Sequence, residues 1–345
     1  MRSIAITEMF SGRGTLTRAL VDGLRQQLNV SVAAGIELDG RHLRCFSADH
    51  PEASTFLGDV TAYHPAELSA PAAGLRLFVA GIPCTGASLA GRAKNGGGPA
   101  EGHKEAGALF LPVIHYVRQH RPDFIILECV PQFRASYSAR CLRHALSASA
   151  YEFNERIVNP YTDFETPTER KRWILIAARH GRFEWRYTPR PFTGTLESFL
   201  DRPSERDAKE AMSAAQVQRD AAYLARKQAQ GCHFRLRLID RNSPQCPVIC
   251  ATYGKRHPSA AYVRAGEAYR PLRPREIARL HGFPRSFHIY GPRKLVYVAL
   301  GQGVTYRPFW ALGAALAAWI ASAGQMEFPW LPNMERRQAG ERASA

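Results

Sequence analysis

Phe78-Val79-Ala80-Gly81-Ile82-Pro83-Cys84-Thr85-Gly86-Ala87-Ser88 is the stretch on which the reading of this chain turns. Leu75, Leu77, Phe78 and Val79 run into Gly81 and Pro83, so a buried strand ends abruptly and the turn that follows presents a cysteine. Open α/β sheets do their chemistry outside the carboxyl ends of their strands. A thiol placed there is close to the positive start of the next helix, which favours the thiolate. A lone cysteine is more often a small buried apolar residue; the segments around this one weaken that reading.

Upstream, Ile4 to Phe10 reads as a first strand and Ser11-Gly12-Arg13-Gly14-Thr15 as a turn into a helix that runs through Leu20. Glycines at such a junction let the backbone approach a ligand while the helix start offers free N–H groups. A second strand, Val30 to Ile36, ends in Glu37-Leu38-Asp39. An acid about 20 residues past a glycine turn, at the end of the second strand, is placed to hold ribose hydroxyls; a surface helix cap is the competing reading. Leu57-Gly58-Asp59-Val60 puts another acid at a strand end.

Downstream, Gly91 to Lys104 is too glycine-rich to be rigid and too basic to be only a spacer, and reads as a lid over an anionic substrate. Leu109 to Val117 has helical periodicity. Phe124 to Leu127 is a buried strand ending in Glu128-Cys129-Val130-Pro131, where a carboxylate is costly unless it is used or paired. Trp173 to Ala178 is one more core strand, introduced by Glu169-Arg170-Lys171-Arg172.

From His180 to about Ala268 the strand–helix alternation lapses. A polar helical stretch (Ser204 to Gln230), a half-exposed strand (Cys232 to Asp240) and the basic Tyr253-Gly254-Lys255-Arg256 suggest a separate small module. Leu272 to Pro284 starts as a helix with Pro274 in its first turn and stops at Gly282; Ala311 to Ala321 is an apolar helix, and Met334 onward a charged, loose tail.

Composition narrows the class. The 345 residues carry a formal charge of +16, which points to a polyanionic partner, nucleic acid foremost, over a basic but inert surface. No run reaches the ~18 apolar residues of a membrane span, and Met1 to Glu8 leads straight into a strand instead of a signal peptide. Seven scattered cysteines without C-x-x-C pairs suit a reducing compartment and speak against a zinc site.

With these segments on the page, the chain resembles the cytosine-5 DNA methyltransferases over nearly its whole length and in the family's motif order. The most specific matches are Gly81-Ile82-Pro83-Cys84 with Ser88, Ala90 and Gly91, and Arg270-Pro271-Leu272-Arg273-Pro274-Arg275-Glu276 with Arg279-Leu280-His281-Gly282-Phe283-Pro284. The resemblance implies an α/β fold: a Rossmann-like, S-adenosylmethionine-dependent methyltransferase sheet with a second, smaller DNA-recognition domain. The expected division is a catalytic and cofactor-binding domain (1–180), a target-recognition domain (181–268), a hinge and C-terminal segment returning to the catalytic domain (269–330), and the tail (331–345).

It also implies roles. Cys84 would be the nucleophile, Glu128 the acid, and Arg170 and Arg172 the holders of the base. S-adenosylmethionine would meet Phe10, Gly12, Gly14, Glu37, Leu38, Asp59, Val60, Pro83, Leu109, Gln302 and Val304. Ser88, Arg92, Lys94, Tyr253, Lys255 and Arg256 would meet duplex DNA. A cytoplasmic, nucleoid-associated monomer with a possible cognate restriction enzyme completes the expectation. Departures from the pattern keep three alternatives open: a modified S-adenosyl donor, a tRNA substrate, and a non-catalytic DNA-binding relative. Thr85 and Ala87 replace Gln and Phe after the nucleophile, Cys129 replaces Asn, Thr168 replaces Gln, and Thr15 replaces Gly. Gly301-Gln302-Gly303-Val304-Thr305 stands where the family has Gly-Asn-Ala-Val-Pro.

Overall fold

The computed structural model describes residues 1–63, 74–83, 107–232, 235–258 and 260–322. Cys84, Ser88, Arg92, Lys94, the Gly91–Lys104 lid and the tail lie outside the described residues.

Seven strands form the main sheet: β1 (Ser3–Met9), β2 (Asn29–Glu37), β3 (Ser54–Leu57), β4 (Leu75–Gly81), β5 (Phe124–Cys129), β6 (Glu152–Val158) and β7 (Arg172–Ala178), in the order β3-β2-β1-β4-β5-β7-β6. From β3 across to β5 every pairing is parallel, whereas β7 runs antiparallel to both β5 and β6. The chain steps outward from β1 to β3, then returns to the other side of β1 as β4. This switch point opens a crevice at the carboxyl ends of β1 and β4. The fold is α/β, a mostly parallel Rossmann-like sheet.

The central strands β1, β4, β5 and β7 are buried on both faces, which is why they read as continuous apolar runs. Ile4, Ile6, Leu77, Val79, Ile126 and Ile174 pack beneath α1 (Thr15–Leu24) and the last helix, Tyr306–Ser322. Phe78, Ala80, Ile125, Leu127 and Leu175 face the opposite layer, with residues of Phe110–His120 and Tyr137–Ala148. The two-residue period of a strand then assigns sides. Glu8, Gly81, Glu128 and Arg172, each two residues from a member of the first set, belong to the α1 face.

Numbered in chain order, the helices are α1, α2 (Gly40–Asp49), α3 (Phe110–His120), α4 (Tyr137–Ala148), α5 (Pro160–Asp163), α6 (Glu205–Glu210), α7 (Ala214–Ala229), α8 (Pro274–Leu280), α9 (Arg293–Gln302) and α10 (Tyr306–Ser322). A second core, with Leu196, Leu200, Ile239, Ile249, Val263, Leu272, Ile277, Phe287 and Leu300, joins the 196–265 region to the segment that follows it. Its small sheet orders β10 (Ala268–Pro271), β9 (Ala261–Ala265) and β8 (Arg237–Ile239). A buried ion cluster ties it down. Arg270 meets both oxygens of Glu276 at 2.8 Å and Asp207 at 2.6 Å, while Arg273 meets Asp201, Asp207 and Glu210. Glu276 also accepts the Arg273 backbone N–H, closing the first turn of α8.

Two expectations need correction. The single helix foreseen over Ser204–Gln230 is α6 and α7, because Ser213 caps a fresh start by accepting the Gln216 N–H. Among the described residues, the strand foreseen over Cys232–Asp240 shrinks to β8: Arg237–Ile239 pairs with β9, Cys232 N–H bonds back to Lys227, and Asp240 caps a turn at Asn242.

The α1–α10 contact depends on glycine. A Cβ on Gly23 would lie 2.2 Å from the Trp310 carbonyl oxygen, and one on Gly313 2.6 Å from that of Leu20. Gly23→Ala and Gly313→Ala are each expected to cost about 1–3 kcal/mol in urea unfolding despite alanine's better helix propensity. Wild-type stability in either would contradict this packing.

Candidate active site at the carboxyl edge of the sheet

Glu128 ends β5 with its side chain 11% exposed, and Arg172, 13% exposed, brings Nε to 2.5 Å from Oε1. Their meeting follows from β7's reversed direction. Its first residue lies at the edge where β5 ends, and Arg172 stands two residues before Ile174, the register partner of Glu128. Arg172 also donates through Nη1 to the Lys171 carbonyl. Burial raises the Glu128 carboxyl above the ordinary carboxylate range, while Arg172 and Arg170 pull it back.

β4 and β5 stay joined past their last ladder pair, Gly81 with Glu128. Ile82 N–H donates to the Glu128 carbonyl at 2.9 Å, and Cys129 Sγ donates to the Ile82 carbonyl at 3.4 Å. A Cβ on Gly81 would lie 3.4 Å from Glu128 Oε2, so glycine leaves the space above the acid clear. The Ile82-Pro83 peptide is thereby fixed beside Glu128, one residue before Cys84. A carboxyl with a raised proton affinity, opposite a guanidinium, can donate a proton to one edge of a ring and steady charge on another.

Arg170, expected beside them, is engaged by backbone carbonyls. Its guanidinium donates to the carbonyls of Gly301 (2.7 Å), Gly303 (2.8 Å), Gln302 (3.1 Å) and Ile249 (3.1 Å). Converging carbonyls at a buried junction need donors, and Arg170 supplies them as a brace.

Around the switch point the expected cofactor residues occupy consecutive strand ends. Phe10 follows β1 with a left-handed backbone, φ 60. Gly12 (φ 52) gives its N–H to Glu37 Oε2 at 2.8 Å, and Glu37 Oε1 accepts from Asp39 N–H at 3.0 Å. Gly14 has φ 82, and a Cβ there would sit 3.0 Å from the Phe46 ring. Leu38 is 70% exposed. Val60 is buried; Asp59 is exposed and accepts from the Thr61 N–H and hydroxyl through Oδ1. Pro83 and Leu109 are half-buried, Gln302 is exposed and Val304 buried. An exposed apolar side chain, a strained aromatic, two carboxylates with lone pairs to spare and a glycine turn suit an adenine nucleoside.

Lys255 and Arg256 are exposed, as a DNA contact requires. Tyr253 is not. It is buried in the second core, where its hydroxyl donates to the Ala261 carbonyl and accepts the Leu272 N–H at 2.7 Å each, which removes it from the expected DNA-facing set.

Two buried charges escaped the sequence reading. Glu8, a charge in the otherwise apolar first strand, is fully buried and accepts from the Thr17 hydroxyl at 2.5 Å. Arg13, between the two glycines, is not a turn surface residue: it stacks 4.5 Å from the Phe287 ring and donates to the His288 carbonyl at 2.7 Å.

A model of the C-5 cytosine-specific DNA methylase family matches residues 4–316. Type II methyltransferase M.DsaV of Dactylococcopsis salina is 29% identical over 306 residues, covering 84% of this chain and 78% of the relative. Type II methyltransferase M.NlaX of Neisseria lactamica is 25% identical over 303 residues, covering 87% and 91%. Among solved structures, the S. pombe Dnmt2 methyltransferase superposes with a TM-score of 0.69 at 15% identity, covering 93% of this chain and 99% of that one. The Entamoeba histolytica methyltransferase EhMeth gives 0.70 at 16%, with the same coverage. These two share the fold.

Burial, with smaller contributions from Glu37 and Glu128 against the Thr17 hydrogen bond, pushes the Glu8 carboxyl up to about 8. The native state therefore keeps a proton that the unfolded chain releases near 4.5, so stability falls as pH rises between those values, and the loss is complete above about 8. Glu8→Gln is expected to flatten that slope in pH-dependent urea unfolding and to be more stable than wild type at alkaline pH. An unchanged slope would contradict the assignment.

Proposed function

This chain belongs to the C-5 cytosine-specific DNA methylase family, and from that premise we propose that it transfers a methyl group from S-adenosylmethionine to C5 of a cytosine in duplex DNA. The observation that carries the reading is the buried Glu128–Arg172 pair, set against the Ile82-Pro83 peptide that leads into Cys84.

C5 of cytosine is too weak a nucleophile to take a methyl group unaided. In the proposed reaction the Cys84 thiolate forms a bond to C6 while Glu128 gives a proton to N3, so the electron pair of the 5,6 double bond moves onto C5. Arg172 faces Glu128 at rest; a base inserted between them takes the guanidinium N–H groups at O2. The acid, freed of its cation in an apolar surrounding, then keeps its proton for N3. S-adenosylmethionine, when bound, supplies the methyl electrophile. A base, water being the simplest, then takes the C5 proton; the C–H electron pair re-forms the 5,6 double bond as the C6–sulfur bond breaks to regenerate the thiolate, and the N3 proton returns to Glu128.

A stacked base cannot be reached in this way, so the target is extruded at a cost of a few kcal/mol. The basic Gly91–Lys104 segment and the 181–268 module, with Lys255 and Arg256 exposed, are assigned to holding the opened duplex and reading the site. The 1–180 part carries the chemistry, and 269–330 returns to it. Among the described residues no helix is long and apolar enough to cross a membrane. The relatives named Type II methyltransferases suit a cytoplasmic bacterial enzyme with a restriction partner.

Nucleoside mass spectrometry of DNA from cells expressing the chain should find 5-methylcytosine, and Glu128→Gln should lower the in-vitro rate on duplex DNA by about 10²–10⁴. Arg172→Ala should do the same. A heavier adduct at C5, preference for tRNA over duplex DNA, or full activity in Glu128→Gln would overturn the reading.

A further inference from the structure

The turn Gly301-Gln302-Gly303 carries its two glycines for want of space. A Cβ on Gly301 would lie 2.4 Å from the Cys250 carbonyl group, and one on Gly303 2.6 Å from Oγ1 and 3.0 Å from Cγ2 of Thr15, with the Ala299 carbonyl oxygen next at 3.1 Å. Gly303 has φ −61 and ψ 176, a backbone that any residue adopts, so conformational freedom does not explain it. Thr15 does. The Thr15 side chain takes the room that a Cβ at 303 would need, an exchange of volume between the two positions.

The exchange also makes a bond. Thr15 Oγ1 accepts the Val304 N–H at 3.4 Å, while Arg170 holds the carbonyls of Gly301, Gln302 and Gly303 from the other side. The peptide is thus gripped on both edges, with the Gln302 side chain left exposed. Thr15 itself is the first residue of α1, directly after the glycine loop at the β1–β4 switch point. The grip therefore sets where Gln302 stands relative to the crevice and to the N–H groups that open α1.

We propose that Thr15, acting through Gly303, is a positioning residue that fixes the Gln302 turn at the mouth of the crevice and so tunes affinity for the methyl donor. The inference rests on the reading that the crevice takes S-adenosylmethionine.

The test is a double-variant cycle read by S-adenosylhomocysteine calorimetry, KM for S-adenosylmethionine, kcat, duplex-DNA Kd and thermal unfolding. Gly303→Ala is expected to raise the S-adenosylhomocysteine Kd and the donor KM about tenfold, with kcat at saturating donor and DNA Kd within about twofold of wild type. Thr15→Gly combined with Gly303→Ala removes the two closest contacts, leaving the Ala299 carbonyl oxygen at 3.1 Å, and should recover donor affinity to within about threefold of wild type. Thr15→Ser, which keeps the hydroxyl, should bind as wild type does; Thr15→Val, which keeps only the bulk, should not. If Gly303→Ala does not fold, the combined variant decides by its own affinity. A combined variant no better than Gly303→Ala, or losses spread equally over kcat and DNA binding, would overturn the positioning role. A folded wild type that binds no S-adenosylhomocysteine would instead overturn the donor reading on which it rests.

Discussion

The arrangement depends on a carboxyl group that the fold places at the end of a buried strand, where water cannot solvate its charge. Glu128 is tolerable there because Arg172 meets it, and Arg172 meets it only because β7 is antiparallel to its neighbours. In an all-parallel sheet the residue that opens a strand lies at the amino edge, a full strand length from the acids at the carboxyl edge. Reversing β7 brings its opening residues to the edge where β1, β4 and β5 end. Removing one partner of such a pair leaves a buried charge uncompensated, at about 3–5 kcal/mol. The same coupling gives the acid its chemistry: burial favours its proton, and the nearby cation sets how strongly.

What surrounds the pair follows from the same edge. Arg170, two residues before Arg172, reaches the other way and ties the sheet to the 249 and 301–303 turns of the second core. Thr15 and Arg13 tie the glycine loop to the C-terminal segment, through Val304 and His288. Arg270, Arg273 and Arg279 are spent on Asp201, Asp207, Glu210 and Glu276, and this network holds the small sheet to α8. It sets three cations against four acids, so it takes nothing from the formal excess of +16. The basic partner surface falls to side chains outside it, Lys255 and Arg256 among them.

Strands buried on both faces announce themselves, so β1, β4, β5 and β7 were legible from their apolar runs, and Glu128 from its place at the close of one of them. β6 was not: it is an edge strand, and Glu152-Phe153-Asn154-Glu155-Arg156 carries the polar residues that such an edge tolerates. The burial of Tyr253 and the carbonyl contacts of Arg170 were not foreseen because residue type says nothing of direction. An arginine two residues from Arg172 can brace carbonyls, and a tyrosine in a basic run can fill a core. The exchange of volume between Thr15 and Gly303 spans most of the chain, and neither residue alone signals the other. β8 fell short of its pattern because alternation without a partner strand makes no ladder.

In the proposed reaction the Ile82-Pro83 peptide, pinned to Glu128, has to deliver its next residue, Cys84, to the ring that the acid would hold. Peptide mapping of the protein after incubation with duplex DNA containing 5-fluorocytosine and S-adenosylmethionine tests this directly, because the fluorine at C5 blocks release. The account predicts one stable protein–DNA adduct, located at Cys84 and absent from Cys84→Ser. An adduct at another of the seven cysteines, or none while unmodified cytosine is still methylated, would contradict it.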